Sequence, residues 1–341
     1  MSSKNLFFCT FAVVIPYLFL QMKEFIIFIT LFLGVNSFAQ ISVKTEYISN
    51  SKFYDAVSDS NIGDGSAMTY SVGALVPLSM KAPEEDDPYQ RPTLWGVGLN
   101  GSFFKADNHN LPARKDFPSE IMNLGVTALH IRPLKTRWSM LMALGVGSYT
   151  PENRLSSIHI GENVIANGAF AFVYHWKPNI WEWQPTFEIG AGVALNNTFG
   201  YPMVFPALYF KLQGGIGDKF SVEIGTLDGA KLALGYNFSE HFNLKLMGSI
   251  GGYSAYVRHN GRKEIFSQMN FITGLQPEIT IGKHVSIPII VGTSFMRLGS
   301  YKERKLSAMF VEEIEARDEQ GNPITSRFRP AFYLSAGVTI K

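Results

Sequence analysis

Apolar and polar side chains alternate along most of the chain after residue 40. Between Trp183 and Leu195 every second residue is apolar or proline, and the positions between them carry Gln, Thr, Glu, Gly or Ala. Side chains alternate across a β-strand, so this segment predicts a strand with one apolar face and one polar or small face. The same period recurs around residues 138–146, 170–176, 269–279 and 332–340.

The alternation divides the chain into fourteen candidate strands. They cover residues 41–55, 66–80, 92–106, 120–133, 136–149, 164–177, 183–196, 202–215, 219–226, 230–238, 242–257, 264–280, 284–298 and 327–340. An even number allows an antiparallel barrel to close with both ends of the chain on one side. Twelve strands is the alternative, because segments 219–226 and 230–238 are short.

One candidate strand, 120–133, breaks the pattern. His130 and Arg132 share a face with Leu124 and Val126, which are apolar. A β-bulge moves the following side chains to the opposite face, so a bulge or a strand end is expected near Leu129.

Strand length and face composition favour a membrane barrel over a soluble sandwich. The strands span about 10 to 15 residues, which is close to a tilted membrane crossing. Their polar face is rich in small and amide side chains, and Trp138, Trp176, Trp181 and Trp183 flank short turns as an interfacial girdle would. No apolar run after Gln40 approaches the roughly 20 residues of a membrane helix. The sequence therefore predicts an all-β, antiparallel transmembrane barrel, because only helices and closed barrels satisfy every backbone group in lipid.

Composition is consistent with this class and excludes others. Hydrophobic residues make up 46% of the 341 positions and charged residues 17%, with a formal net charge of +2. The small net charge argues against a nucleic-acid partner. A single cysteine, Cys9, excludes a disulfide framework and a multi-cysteine metal site.

The N-terminus predicts export. Met22 and Lys23 form a short basic region, residues 25–33 an apolar core, and Ser37-Phe38-Ala39 a small-residue cleavage site. We therefore expect residues 22–39 to be a cleaved signal peptide, 1–21 an upstream start-site extension, and 40–341 a single barrel domain. A helical membrane hairpin formed by the two N-terminal apolar stretches is the alternative.

The connections between candidate strands alternate in length. Short ones include residues 133–135, 217–219, 239–241 and 282–283, and they are expected on the periplasmic side. Long ones, among them 107–119 and 150–163, are expected outside the cell, while the acidic segment 81–91 is an exception. The longest, 299–326, is highly charged, and it is predicted to act either as a plug or as a partner-binding surface.

The Ser37-Phe38-Ala39-Gln40 junction, the Gly- and aromatic-rich strands and the terminal strand Ala331–Lys341 carry a family resemblance. With these features the chain resembles outer-membrane β-barrel proteins of Bacteroidota that are grouped as families of unknown function. The resemblance implies a location in the outer membrane of a Gram-negative bacterium. It also implies outer-membrane lipid and the barrel insertion machinery as partners, and no particular activity.

Catalytic, cofactor and metal motifs are not predicted. His284 and Ser286 share a strand face, as in the outer-membrane phospholipase, but they lie beside the short turn 282–283, at the end away from the outer leaflet. We interpret them as a polar pair next to a turn, because a catalytic nucleophile needs a base and an orienting group placed within hydrogen-bonding distance. The seven histidines lack metal-ligand spacing, so we expect neither an enzyme nor a cofactor.

The polar strand faces supply the candidate site. Its predicted lumen-lining residues are Glu188, Lys211, Gln213, Glu223, Lys231, Lys245, Gln268, Gln276 and Glu278. A mixed-sign lining suits either a polar channel or a salt-bridged barrel interior, and both readings stay open. The sequence thus predicts a porin-like channel or a barrel that binds a small hydrophilic solute. A non-transporting barrel that presents extracellular loops is the alternative, and an outer-membrane lipid enzyme is a weak third.

Overall fold

The fold consists of long antiparallel strands. A computed structural model describes residues 40–82, 91–135, 137–177, 185–196, 203–214, 219–226, 230–259, 261–303, 316–321 and 323–340. The strands are β1 Gln40–Asp55, β2 Ser60–Lys81, β3 Thr93–His109, β4 Glu120–Lys135, β5 Trp138–Thr150, β6 Val164–Trp176, β7 Thr186–Asn196, β8 Met203–Gly214, β9 Phe220–Gly225, β10 Ala230–Ser239, β11 Phe242–His259, β12 Arg262–Ile281, β13 Val285–Glu303, β14 Ala316–Arg317, β15 Pro323–Ile324, β16 Arg327–Phe328 and β17 Ala331–Ile340. Two short 3-10 helices cover Ala113–Lys115 and Leu155–Ser157. The predicted signal peptide and upstream extension, 1–39, lie outside the described residues.

Fourteen of these strands close a barrel. Each strand from β1 to β12 pairs antiparallel with the next one in the chain, and β17 pairs with both β13 and β1. Ile340 is in register with Ile41 on one side and Val285 on the other. This confirms the predicted all-β barrel and its fourteen strands. The twelve-strand alternative is wrong, because the short β9 and β10 both pair within the wall.

Both ends of the barrel chain, Gln40 and Ile340, lie at one rim, here called the terminal end; the other rim is the loop end. Connections 136–137, 240–241 and 282–284 at the terminal end are short, as predicted, but 82–92 and 177–185 are longer. At the loop end lie 110–119, 151–163 and the longest connection, 304–330. Within that last connection 304–315 lies outside the described residues, and β14 and β15 pair with each other.

The outer surface of the barrel is apolar. Large aliphatic side chains stand exposed at alternate positions; Leu144 is 72% exposed, and further examples are Val146, Ile189, Val193, Leu208, Leu246, Leu275 and Val291. Leaving such a continuous belt in water is costly, whereas a bilayer would cover it. Aromatic side chains collect near the terminal end, where Trp138 packs on Tyr174 with ring centroids 5.0 Å apart. Trp181 and Trp183 of the predicted girdle lie outside the described residues.

Among the described residues we find no helix that combines the length and the apolar character needed to cross a membrane.

The face assignment predicts a large difference between two adjacent residues of β12. Leu275 is 51% exposed on the outer face, and Gln276 lies on the inner face opposite Lys245. An arginine at position 275 would place a charge in hydrocarbon, so L275R is expected to lower the free energy of unfolding by about 2–4 kcal/mol. Urea unfolding of the protein in lipid vesicles measures this change.

The matched control is Q276R, which adds the same charge one residue later. It points into the lumen, where the carboxylate of Glu278 lies two residues away on the same face. We expect a much smaller change in unfolding free energy. Equal losses at both positions would contradict a barrel with a lipid-facing belt.

The bulge or strand end expected near Leu129 is wrong, because the register of β4 shifts only further on, against β5 between Pro133 and Lys135. β4 keeps continuous register with β3 from Glu120 to Ile131. His130 stays on the outer face because Trp95, its register partner on β3, stacks over it with ring centroids 3.8 Å apart. Its Nδ1 also lies 3.1 Å from the carbonyl oxygen of Leu94. His130 can therefore remain on the outer face, because Trp95 covers its ring and the Leu94 carbonyl oxygen is a hydrogen-bond partner.

Candidate functional site in the lumen

Charged side chains form a belt on the inner wall in the half of the barrel nearer the terminal end. Glu188 on β7, Lys211 on β8 and Glu223 on β9 are direct register partners and alternate in sign. Inner-face neighbours on adjacent strands have Cβ atoms about 5 Å apart, so each charge can interact with the next. The belt continues through Lys231 on β10 and Lys245 on β11.

Two ion pairs in this belt differ in exposure. Lys231 Nζ lies 3.3 Å from Glu223 Oε1, and the two side chains are 39% and 36% exposed. Lys245 Nζ lies 2.8 Å from Glu278 Oε2, with the side chains 22% and 19% exposed. Both pairs point away from the apolar outer surface, so their exposure reports space inside the barrel that water can reach.

Glu188 is the centre of a more enclosed cluster. Its side chain is 16% exposed and accepts hydrogen bonds from Arg91 Nη2 at 2.8 Å and Tyr209 Oη at 3.0 Å. His175 Nδ1, from the neighbouring strand β6, lies 3.6 Å from the other carboxylate oxygen. Arg91 comes from the connection between β2 and β3, four strands away around the wall. The Arg91–Glu188 pair therefore bridges the lumen.

The other predicted lining residues lie at two heights. Gln213 on β8 is in register with Thr186 and Ser221 near the terminal end, and Gln276 on β12 faces Lys245. Gln268, in contrast, lies in the half nearer the loop end and is only 5% exposed. Eight predicted residues thus fall within the charged belt, and Gln268 belongs to different surroundings.

Several inner-face groups were missed by the sequence reasoning. On β1, Lys44 Nζ lies 3.1 Å from Glu46 Oε1, and Glu46 also accepts hydrogen bonds from Tyr253 at 3.3 Å and from Tyr333. The alternation on β1 contained the signal that both charges share one face. Arg91 could not be found in this way, because it lies in a connection without strand periodicity.

Large apolar side chains fill much of the lumen towards the loop end. They come from β1, β3, β4, β11, β12, β16, β17 and the connection 110–119, and they include Ile48, Phe53, Phe104, Phe117, Ile121, Ala255, Phe266, Ile272, Phe328 and Tyr333; we call this set the aromatic cluster. Phe53, Phe104 and Phe266 are at most 1% exposed. Inward aromatic residues in these numbers narrow the barrel at this height.

The connection 110–119 contributes to this closure. Phe117 is 9% exposed, and its ring centroid lies 6.2 Å from that of Phe53 and 5.4 Å from that of Phe266. The hydroxyl of Tyr301 donates a hydrogen bond to the carbonyl oxygen of Asp116, the residue before Phe117. Phe117 therefore reaches from the β3–β4 side of the wall to the β12–β13 side. The predicted plug candidate, 299–326, is not the segment that provides this side chain.

The β11–β12 hairpin closes the loop end further. The adjacent residues Ile265 and Phe266 are 2% and 0% exposed, so both faces of the hairpin are covered at this height. Tyr256 packs edge-on against Tyr149 of β5, with ring centroids 6.1 Å apart, and Lys263 Nζ lies 3.5 Å from Glu162. β5 and β11 are not neighbours in the wall, so these contacts cross the mouth of the barrel.

The belt has mixed sign and no constellation of metal ligands. Its cations are Lys44, Arg91, Lys211, Lys231 and Lys245, and its anions are Glu46, Glu188, Glu223 and Glu278. In the described part of the chain no three His, Cys, Asp or Glu side chains are arranged to hold a metal ion. His284 lies in an exposed turn at the terminal end, and Ser286 is buried.

The chain is distantly similar to several solved barrels. The COG4313 outer membrane channel from Pseudomonas putida F1 shares 9% identity over 89% of this chain and 94% of its own, with a TM-score of 0.41. A Pseudomonas aeruginosa FadL homologue shares 11% identity over 89% of each chain, with a TM-score of 0.39. The translocator domain of autotransporter NalP from Neisseria meningitidis shares 10% identity over 97% of each chain, with a TM-score of 0.32. No curated protein matches the sequence.

A family match covers the whole barrel. The profile described as a domain of unknown function, DUF6268, matches residues 35–341, which include every strand from β1 to β17. The strand order, the lumen belt and the aromatic cluster all lie within the matched residues. The chain therefore belongs to the DUF6268 family.

Proposed function

We propose that the protein is a porin-like barrel of the Gram-negative outer membrane that passes small hydrophilic solutes through a narrow lumen. Its apolar belt and closed wall suit a bilayer, and the resemblance to Bacteroidota barrels supports this membrane. In this orientation the terminal end faces the periplasm and the loop end faces the exterior. Outer-membrane lipid and the barrel insertion machinery are then its partners, and we propose no catalytic role.

One observation supports the passage above all. Lys231 and Glu223 lie on the inner face, are paired at 3.3 Å, and are still 39% and 36% exposed. A barrel packed solid at this height would cover both side chains, since unsolvated charges are costly. Water inside the charged belt explains their exposure.

The same lining predicts the selectivity. Cations and anions are interspersed along the belt, so neither sign of permeating ion meets a ring of opposite charge. The aromatic cluster narrows the loop end, so solutes that pass must be small. We expect a low conductance with weak preference between K⁺ and Cl⁻.

Planar bilayer recordings of the purified barrel test this proposal. We expect discrete current steps and a reversal potential close to zero in a KCl gradient. The matched control is the same detergent buffer without protein added to the same bilayer, which should give no steps.

Complete absence of steps from folded protein would overturn the passage. It would favour the second candidate, a non-transporting barrel that presents its loops to envelope partners. The observation that favours this second candidate is the packed loop end, where Phe53, Phe104 and Phe266 are at most 1% exposed.

A further inference from the structure

Four buried polar side chains lie together on the inner face of β12 and β13, beside the aromatic cluster. Gln268, Asn270, Ser294 and Arg297 are each at most 5% exposed. Asn270 and Arg297 are register partners, and Gln268 lies two residues from Asn270 on the same face. These four residues are called the β12–β13 polar cluster.

Each member of the cluster carries an unsatisfied polar atom. Gln268 Nε2, Asn270 Oδ1, Ser294 Oγ, Arg297 Nε and Arg297 Nη1 make no hydrogen bond to any described residue. These are half of the ten such atoms found in the described part of the barrel. Buried polar atoms without partners are rare in folded proteins, so their concentration on two adjacent strands needs a physical reason.

Arg297 is held in place without being neutralised. Its Nη2 donates to the carbonyl oxygen of Gly65 at 2.6 Å, and its guanidinium carbon lies 3.6 Å from the ring centroid of Phe328. No carboxylate of the described residues lies within ion-pair distance of it. A buried charge is strongly disfavoured unless it is paired, so the cluster is set up for an anion that none of the described residues supplies.

We propose that the β12–β13 polar cluster binds the carboxylate of a small organic acid with an apolar or aromatic body. The proposal rests on the proposed function and names the class of solute that the barrel selects. Arg297, the Gln268 amide and the Ser294 hydroxyl supply free donors, which a carboxylate accepts. The cluster holds one cation, which matches a monoanion better than a phosphate dianion. Apolar surface for the body of the ligand is adjacent, because the ring of Phe328 stacks on the Arg297 guanidinium and lies 5.0 Å from the ring of Phe53.

Calorimetric titration of the detergent-purified barrel tests the proposal with three probes. Benzoate carries a carboxylate on a ring, benzyl alcohol carries the ring without the charge, and inorganic phosphate carries charge without the ring. We expect benzoate to bind measurably more tightly than either of the other two. In R297M and R297K its affinity should fall by about tenfold or more, because the charge-assisted hydrogen bonds of the planar guanidinium are lost.

The matched control variant is R329M. Arg329 also lies near the loop end and stacks on an aromatic ring, 4.6 Å from the centroid of Tyr54, but it is exposed and outside the cluster. Its loss should leave benzoate binding unchanged. Circular dichroism establishes that each variant is folded, and R297K retains the charge if R297M does not fold.

Three outcomes would overturn the inference. They are equal binding of benzoate and benzyl alcohol, equal binding of benzoate and phosphate, and benzoate affinity that survives both Arg297 substitutions. If the barrel gives current steps in planar bilayers but binds no benzoate, the carboxylate-site proposal is wrong and the proposed passage of solutes stands. If the barrel binds benzoate but gives no current steps, the carboxylate-site proposal stands and the proposed passage of solutes is wrong.

Discussion

Replacing Phe117 with alanine is expected to raise the conductance of the reconstituted barrel and to lower its free energy of unfolding by about 3–5 kcal/mol. Phe117 is 9% exposed and lies against Phe53, Phe266 and Tyr301. Truncation removes apolar contacts that the surrounding wall cannot replace by collapsing, because β-strands hold it at fixed spacing. The same truncation widens the narrow part of the lumen. Single-channel current and urea unfolding in vesicles measure the two effects.

An outer-face phenylalanine provides the control. Phe238 is 58% exposed near the terminal end, so F238A should change neither the conductance nor the lumen. If F117A destabilises the barrel but leaves its conductance unchanged, solutes do not pass beside Phe117. The connection 110–119 would then have a structural role only.

Two glycines allow the same idea to be tested without removing a side chain. A Cβ atom added at Gly299 would lie 2.9 Å from Cζ of Phe117, whereas one added at Gly251 would meet nothing within 4 Å. G299V is therefore expected to push Phe117 away from the wall and further into the lumen, and so to lower the conductance, the opposite of F117A. G251V adds the same side chain to the inner face of β11 and should leave the current near the wild-type value.

The wall of the barrel could be predicted from the sequence because it has a period. Once Ile189 is placed outside, Glu188 must lie inside, and register carries the assignment to Lys211 and Glu223 on the next strands. Lipid on one side and water or packed side chains on the other enforce the pattern along each strand.

The filling of the lumen could not be predicted in the same way. Phe117 and Arg91 come from connections, where no repeat indicates the direction of a side chain. Part of the signal was nonetheless present in the strands. Adjacent apolar pairs such as Phe103-Phe104 and Ile265-Phe266 place apolar groups on both faces of β3 and β12 near the loop end. A strand that is apolar on both faces at one height is covered on both faces. The inner face near the loop end is therefore packed against other side chains and not lined by a wide water-filled mouth.

Glu188, Glu278 and Glu223 should contribute to stability in that order, although all three are inner-face glutamates with a cationic partner. Glu188 is 16% exposed and accepts from Arg91 and Tyr209, so E188A leaves enclosed donors unpaired and should cost about 3 kcal/mol. E278A removes one partly buried ion pair and should cost about 1–2 kcal/mol. E223A removes a pair that is more than one third exposed and should cost about 0–1 kcal/mol. Equal losses on urea unfolding would mean that the belt is uniformly solvated.

A double-mutant cycle separates the bridge across the lumen from the general loss of a charge. Arg91 contacts Glu188 at 2.8 Å from a connection four strands away, whereas Lys211 is a register neighbour of Glu188 and makes no ion pair with it within 4 Å. Coupling between R91A and E188A should therefore be within the range of about 0.5–3 kcal/mol found for contacting residues. Coupling between K211A and E188A should be smaller than this, because the two neighbours form no ion pair. A larger coupling for K211A–E188A than for R91A–E188A would place Arg91 outside the lumen. The terminal end would then be open at the height of Glu188.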